Sequence, residues 1–194
     1  MLGYSKIYES FSSLISFSEA ELGAFIPKLS IKNYKKKDFL LKQDTICDEI
    51  FFINSGLTRN LMVGPKGEEI TLHFTIEGNY ITEYASFLKN KPSSYGIQAL
   101  EDVEAVIINR EALEFGYECI KDGNKMGRLI AEHYFMMLSD RIEEIYADDI
   151  LARLDKLNEC FPGIHQRVPQ HMIASFLGVT PVHLSRLKSA QLQK

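Results

Sequence analysis

Hydrophobic residues follow different periods in the two parts of the chain. Between positions 31 and 109, short apolar runs are separated by turn residues. The run Glu69–Ile76 alternates with period two, which is typical of a strand with one buried face. Gly56 and Gly78 stand in the intervening turns, where glycine accepts the positive φ that tight turns need. Several short strands at this spacing predict an antiparallel barrel or jelly roll.

On both sides of this region, apolar residues recur at helical spacing. Ser18 to Glu21 reads as a capping box and predicts a short helix that ends near Lys28. Asn109 is a good N-cap for another helix, and a long helix is predicted over positions 124–146. One apolar stripe of the long helix consists of Ile130, Tyr134, Leu138, Ile142 and Ile145.

The long helix carries apolar residues on more than one side, so it needs more than one partner. The barrel can cover one side and a second copy of the same helix the other. We therefore expect a homodimer, and burial of the helix within its own subunit is the alternative. A further helix is predicted over positions 147–159, with Pro162 and Gly163 ending it.

The most specific pattern lies between Gln170 and Leu187. Ile173 gives the first helix an inner face, Gly178 supplies a sharp turn, and Thr180 and Pro181 suit the start of a second helix. This predicts a helix-turn-helix, whose second helix enters the major groove of DNA. The predicted DNA-binding residues are Gln170, Thr180, Pro181, Val182, His183, Ser185, Arg186 and Lys188.

Among these residues Arg186 is the candidate for a guanine or phosphate contact. A helical hairpin that only packs is the alternative. The chain has 194 residues and a net charge of −4, which by itself argues against nucleic acid. Positions 165–194, however, hold Arg167, Arg186, Lys188 and Lys194 and no acidic residue. A basic tail on an acidic body favours DNA binding at that end.

Composition excludes several other classes. The apolar fraction of 45% supports packed cores, and no apolar run approaches the ~20 residues of a membrane span. Cys47, Cys119 and Cys160 are far apart, so free thiols are expected and no disulfide or zinc site. His73 is expected to be a packed residue. We expect a cytoplasmic protein with no metal, no cofactor and no enzymatic activity.

Over nearly its whole length the chain resembles the Crp/Fnr family of transcription regulators. The stretches Ile53–Arg59, Lys66–Thr71 and Gly78–Ile81 are similar to turns of the family's cyclic-nucleotide-binding jelly roll. The resemblance implies an α+β protein with three parts: a jelly-roll sensor domain over 1–122, a dimerisation helix over 123–147, and a small helix-turn-helix domain over 148–194. The β-hairpin wing usual in the family does not follow Leu187 before Lys194, so either the subgroup lacks the wing or the chain was shortened.

The resemblance also implies an effector pocket. Family members that bind cyclic AMP use a Gly-Glu pair and an Arg-Ser/Thr pair, which correspond here to Thr82-Glu83 and Ser93-Ser94. The arginine that would neutralise the phosphate is missing, and no arginine lies between Arg59 and Arg110. We therefore expect no tight binding of cyclic AMP, and either an unliganded pocket or a different ligand.

These observations predict a homodimeric DNA-binding transcription regulator that reads a two-fold-symmetric site. Double-stranded DNA and a second copy of the chain are the expected partners, and RNA polymerase is a further candidate. One alternative is a ligand-binding or signalling module whose helical tail docks a protein. A second is an enzyme on a jelly roll, such as a cupin, which would need more metal ligands than the one histidine of the barrel region.

Overall fold

A computed structural model describes residues 2–191, and the side chains of residues 3–189. Two four-stranded antiparallel sheets face each other, which is the predicted jelly roll. Its strands are β1 Ser30–Tyr34, β2 Phe39–Leu41, β3 Glu49–Ser55, β4 Thr58–Val63, β5 Glu69–Thr75, β6 Tyr80–Ile81, β7 Gly96–Ala99 and β8 Val103–Asn109. The strand orders are β1-β8-β3-β6 in one sheet and β2-β7-β4-β5 in the other.

The jelly roll buries side chains from both sheets in one core. Phe51 and Ile107 are neighbours in the register of β3 and β8, and both are almost fully buried with Ile97 and Ala99 of the other sheet. Gly56 has φ +91° in the β3–β4 turn, and a Cβ there would lie 2.4 Å from the carbonyl oxygen of Asp102. Glycine is thus required both by conformation and by space.

Two helices precede the barrel. Helix α2 spans Glu19–Phe25 and begins with the predicted capping box. Helix α1, Ser5–Leu14, was not predicted, although its buried residues Ile7 and Phe11 stand four positions apart, on one helical face. Ile7 and Phe11 of α1 and Phe25 of α2 pack together against barrel residues such as Phe52.

Two helices connect the barrel to the C-terminal region, and a short one, α3 (Tyr84–Lys89), lies between β6 and β7. Helix α4 spans Arg110–Cys119 and is capped by Asn109, whose side chain accepts a 2.8 Å bond from the amide of Ala112. The long helix α5 spans Gly123–Ala147, close to its predicted bounds.

Four helices form the C-terminal region: α6 Ile150–Cys160, α7 Ile164–Arg167, α8 Gln170–Leu177 and α9 Pro181–Gln191. Helix α6 starts three residues later than predicted, because the chain is extended at Asp148 and Asp149 caps the new helix. Pro169 holds the N-cap position of α8, with ψ 141°.

The C-terminal helices pack directly on the barrel. Leu57, Phe74 and Leu100 of the barrel share one buried cluster with residues of α6 to α9, including Phe176 and Leu177. The barrel and the C-terminal region therefore share a continuous apolar core, to which α8 contributes through its contacts with β5.

Candidate functional site

Helices α8 and α9 meet at a tight turn. Gly178 adopts the left-handed conformation with φ +71° and ends α8. The amide of Val179 then donates to the carbonyl of Ala174 at 2.9 Å. Thr180 begins α9, since its Oγ1 accepts from the amide of His183 at 3.2 Å. The glycine turn and the threonine cap occur where the sequence predicted them.

Most of the predicted DNA-binding residues lie on the surface. Leu184 is buried and holds α9 against the other helices. The exposed residues of the predicted set are Gln170, Thr180, Pro181, Val182, His183, Ser185 and Arg186.

Lys188, the last member of the set, is half-buried, with its Nζ 3.0 Å from Nδ1 of His165. Burial lowers the pKa of the Lys188 ammonium. Burial, and then the charge of Lys188, lower the pKa of His165. Lys188 is thus tied to α7, and the freely presented cation among the described side chains of α9 is Arg186.

Arg167, counted in the sequence among the basic residues that favour DNA binding, forms ion pairs with the barrel in the structure. Its guanidinium lies between two glutamates of the barrel, 2.7 Å from an oxygen of Glu77 and 2.7 Å from an oxygen of Glu101. Hydrogen bonds to both glutamates raise the pKa of Arg167. Burial opposes ionisation of Glu77, but its bonds to Arg167 leave its pKa lowered overall. Arg167 therefore joins α7 to the barrel, and Lys194 lies outside the described residues.

Two further contacts hold α8 in place. The Arg141 guanidinium of α5 lies 3.8 Å from the ring centre of Phe176 and also bonds to that residue's carbonyl oxygen. The amide of Thr71 in β5 donates to Oγ of Ser175 at 2.9 Å. The orientation of α8 is thus fixed by both the barrel and α5. No local sequence pattern signals these contacts, because each joins residues far apart in the chain.

The stripe predicted for the dimer helix divides into two parts. Ile130 packs against a buried cluster of its own barrel, and Tyr134 is half-buried. Leu138, Ile142 and Ile145 are exposed, at 57%, 58% and 48%. Phe135 and Tyr146, which lie outside that stripe, are exposed as well.

The predicted effector residues surround the start of α3. Glu83 is buried, and its carboxylate accepts a 2.5 Å bond from the amide of Ser86. The Oγ1 of Thr82 donates to the carbonyl of Glu49 at 2.9 Å. Ser93 is buried and donates to the carbonyl of Lys42 at 3.1 Å, while Ser94 is exposed.

The arginines of this region already have partners. The Arg110 guanidinium bonds to the carbonyl oxygen of Phe87 in α3 and lies 4.5 Å from the centre of its ring. Arg59 is buried, but its guanidinium is occupied by Gln98, at 2.7 Å, and by Glu69. The first amides of α3, which could receive an anion, instead face the Glu83 carboxylate. A phosphate would have to displace or repel that carboxylate.

Comparisons with known proteins agree with this architecture. Residues 31–116 match the family model of the cyclic nucleotide-binding domain. The chain is similar to FixK2 from Bradyrhizobium japonicum, with a TM-score of 0.70 and 15% identity over 85% of each chain. It is also similar to a transcriptional regulator of the Crp/Fnr family from Eubacterium rectale, with a TM-score of 0.69, 18% identity, and coverage of 91% of this chain and 84% of that one.

A third similar structure is the c-di-GMP-responsive global regulator CLP of Xanthomonas campestris. Its TM-score is 0.67 at 13% identity, and the match covers 91% of this chain and 93% of that one. No curated protein sequence matches the chain. Within residues 2–191, no helix is long and apolar enough to cross a membrane, and no three His, Cys, Asp or Glu side chains are grouped to hold a metal ion.

The jelly roll thus matches the cyclic nucleotide-binding domain over residues 31–116, and the long helix and helical C-terminal region follow it as in the similar structures. The predicted resemblance is confirmed: the chain has the fold of the Crp/Fnr regulators.

Proposed function

We propose that this protein is a homodimeric transcription regulator that binds double-stranded DNA through α9 and does not respond to cyclic AMP. The observation that carries the proposal is the exposed face of α9. Thr180 fixes the start of this helix, Leu184 anchors it, and Arg186 projects from it among small polar side chains. Between Pro181 and Gln191 there is no acidic residue to repel phosphate.

The proposal of a dimer rests on α5. Leu138, Ile142 and Ile145 recur at spacings of four and three residues, and more than 45% of each side chain is exposed. This spacing is that of a helix pair packed along one seam. A two-fold dimer would present two copies of α9, and DNA half-sites for such proteins lie about 34 Å apart.

Independence from cyclic AMP is supported by the start of α3. The buried Glu83 carboxylate already accepts a hydrogen bond from the helix amide of Ser86. Arg59 is paired with Glu69, and Arg110 bonds to the carbonyl oxygen of Phe87. We expect no saturable binding of cyclic AMP by titration calorimetry at micromolar protein. Binding in that range would contradict this part of the proposal.

Arg186 tests DNA binding directly. Replacing it by alanine should weaken binding to a selected site by about 1–3 kcal/mol, or roughly five- to 150-fold, if it contacts a base. Lys125→Ala is the matched control, since Lys125 is exposed at the opposite end of α5 from α6. Equal affinities of the Arg186→Ala variant, the control and the unaltered protein would argue against α9 as the reading helix.

A second candidate function is a signalling module whose C-terminal helices bind a protein. The exposed Val182, at 60%, favours it, because an apolar residue near the start of a reading helix suits a protein contact. Association that is insensitive to salt, with no retention of DNA, would support this alternative.

A further inference from the structure

The ammonium group of Lys188 in α9 lies beside an imidazole and not beside a carboxylate. Its Nζ is 3.0 Å from Nδ1 of His165, which α7 presents at the surface. An ammonium group has no lone pair with which to accept a hydrogen bond, so Lys188 donates and Nδ1 of His165 is the unprotonated acceptor. The pair therefore joins an ammonium to a base that can take one of its protons.

Two lysines elsewhere in the structure have the opposite surroundings. Lys35 donates to a carboxylate oxygen of Asp102 at 2.8 Å, and Lys156 lies 2.7 Å from an oxygen of Asp148. These bonds raise the pKa of both ammonium groups, which therefore hold their protons more firmly. Burial instead lowers the pKa of Lys188, and its side chain pairs with the imidazole. At a given pH, more of Lys188 than of an ordinary lysine is the free amine, which is the nucleophilic form.

The surroundings of the pair favour the approach of an anion. Positions 165–194 contain no Asp or Glu, and the exposed Arg186 stands two residues before Lys188. An anionic reagent therefore meets no carboxylate of this segment that would repel it. His165 is exposed and Lys188 is half-buried, so the amine can be reached from solvent.

We propose that Lys188 is a site of acylation by acyl phosphates, with His165 as the base that activates it. Nδ1 of His165 takes one proton from the Lys188 ammonium and passes it to water. The free Nζ attacks the acyl carbonyl carbon, so that an N–C bond forms and the bond from this carbon to the phosphate oxygen breaks. The nitrogen loses a second proton, which leaves with the phosphate as hydrogen phosphate, and no atom is oxidised or reduced.

Acylation removes the charge of Lys188, one of the two Lys or Arg side chains described in α9. Because positive charge attracts the phosphates of DNA, the acylated protein should bind DNA less tightly. This consequence rests on the proposed function of α9, whereas the chemistry at Lys188 does not. The acylation is measured without DNA, so the two proposals can fail separately.

Acetyl phosphate tests the proposal on the full, folded chain. After incubation near neutral pH, the remaining free lysines are acetylated with deuterated acetic anhydride in denaturant. Mass spectrometry of peptides then gives the fraction of each lysine that acetyl phosphate had modified. We expect Lys188 to react about tenfold faster than Lys125 and Lys89, which are exposed and not paired with an imidazole. In urea the three lysines should react at equal rates, and a preference that persists there would contradict a site built by the fold.

His165→Gln removes the base and keeps a side chain that can accept from Lys188. In this variant the acetylation of Lys188 should fall to the rate of Lys125, which itself should not change. His171→Gln is the matched control, because it removes an exposed imidazole from α8, and it should leave the rate at Lys188 unaffected. Circular dichroism should show that both variants fold like the unaltered protein.

The pH dependence of the rates separates activation from mere exposure. The free amine accumulates as the pH rises to its pKa, so the rate at Lys188 should level off at a lower pH than the rate at Lys125. The titratable group that faces Lys188 is His165, since Arg167 of the same helix is turned to the glutamates of the barrel. Equal rates at Lys188 and Lys125 in the folded chain, or an unchanged rate at Lys188 in His165→Gln, would overturn the proposal.

Discussion

Replacing Ile142 by glutamine should dissociate the proposed dimer. Fully burying an isoleucine side chain contributes about 1.5–3 kcal/mol. Since 58% of Ile142 is exposed in the single chain, burial in a dimer would contribute about 1–2 kcal/mol per copy. A two-fold interface contains the residue twice, so the variant should lose about 3 kcal/mol, a weakening of the dimer of roughly a hundredfold.

Sedimentation velocity over a range of protein concentrations measures this dissociation. Glu143→Gln is the matched control, because it changes an exposed polar neighbour on the same helix. Circular dichroism should show that α5 remains helical in both variants. A monomeric unaltered protein at high concentration, or equal dimer affinities for Ile142→Gln and the control, would refute the reasoning.

Three further predictions concern stability and the contact between barrel and C-terminal region. Arg167→Gln removes the partly exposed ion pairs with Glu77 and Glu101. We therefore expect the amides of α8 to lose about 1–2 kcal/mol of protection in hydrogen–deuterium exchange. Unchanged exchange would contradict the role of this contact. The pKa of His73 is about 4 in the folded chain and ordinarily 6.5, so between these pH values only the unfolded chain gains a proton on this side chain. The free energy of unfolding should therefore fall by about 2 kcal/mol from pH 7 to pH 5. The variant His73→Gln should not show this fall. Thr180→Ala removes the cap of α9 and should cost about 1 kcal/mol in urea denaturation, whereas Thr180→Ser should cost much less.

Features fixed by neighbouring residues could be read from the sequence. The capping box at Ser18, the cap at Asn109 and the turn at Gly178 each depend on residues within a few positions, and each is confirmed. The alternating pattern of β5 likewise predicted its strand. Helix α1 was missed, because the mixed residues before position 16 gave too short an apolar pattern.

Features fixed by contacts between distant residues could not be read. Arg167 counted as one more cation of the basic tail, but its guanidinium pairs with Glu77 of the barrel, 90 residues earlier in the chain. Ile130 and Leu138 are equivalent by spacing, yet Ile130 packs against a buried cluster whereas 57% of Leu138 is exposed. Periodicity shows that a helix has apolar sides; which side meets which neighbour depends on the tertiary arrangement.

Selection from a pool of random DNA duplexes, followed by sequencing across a salt series, tests the central claim most directly. We expect enrichment of a two-fold-symmetric site with half-sites about one helical turn apart, and an affinity that falls steeply with salt. Arg186→Ala should lose this enrichment and Lys125→Ala should keep it. Failure of the unaltered, dimeric protein to enrich any sequence at low salt would contradict the proposal that α9 reads DNA.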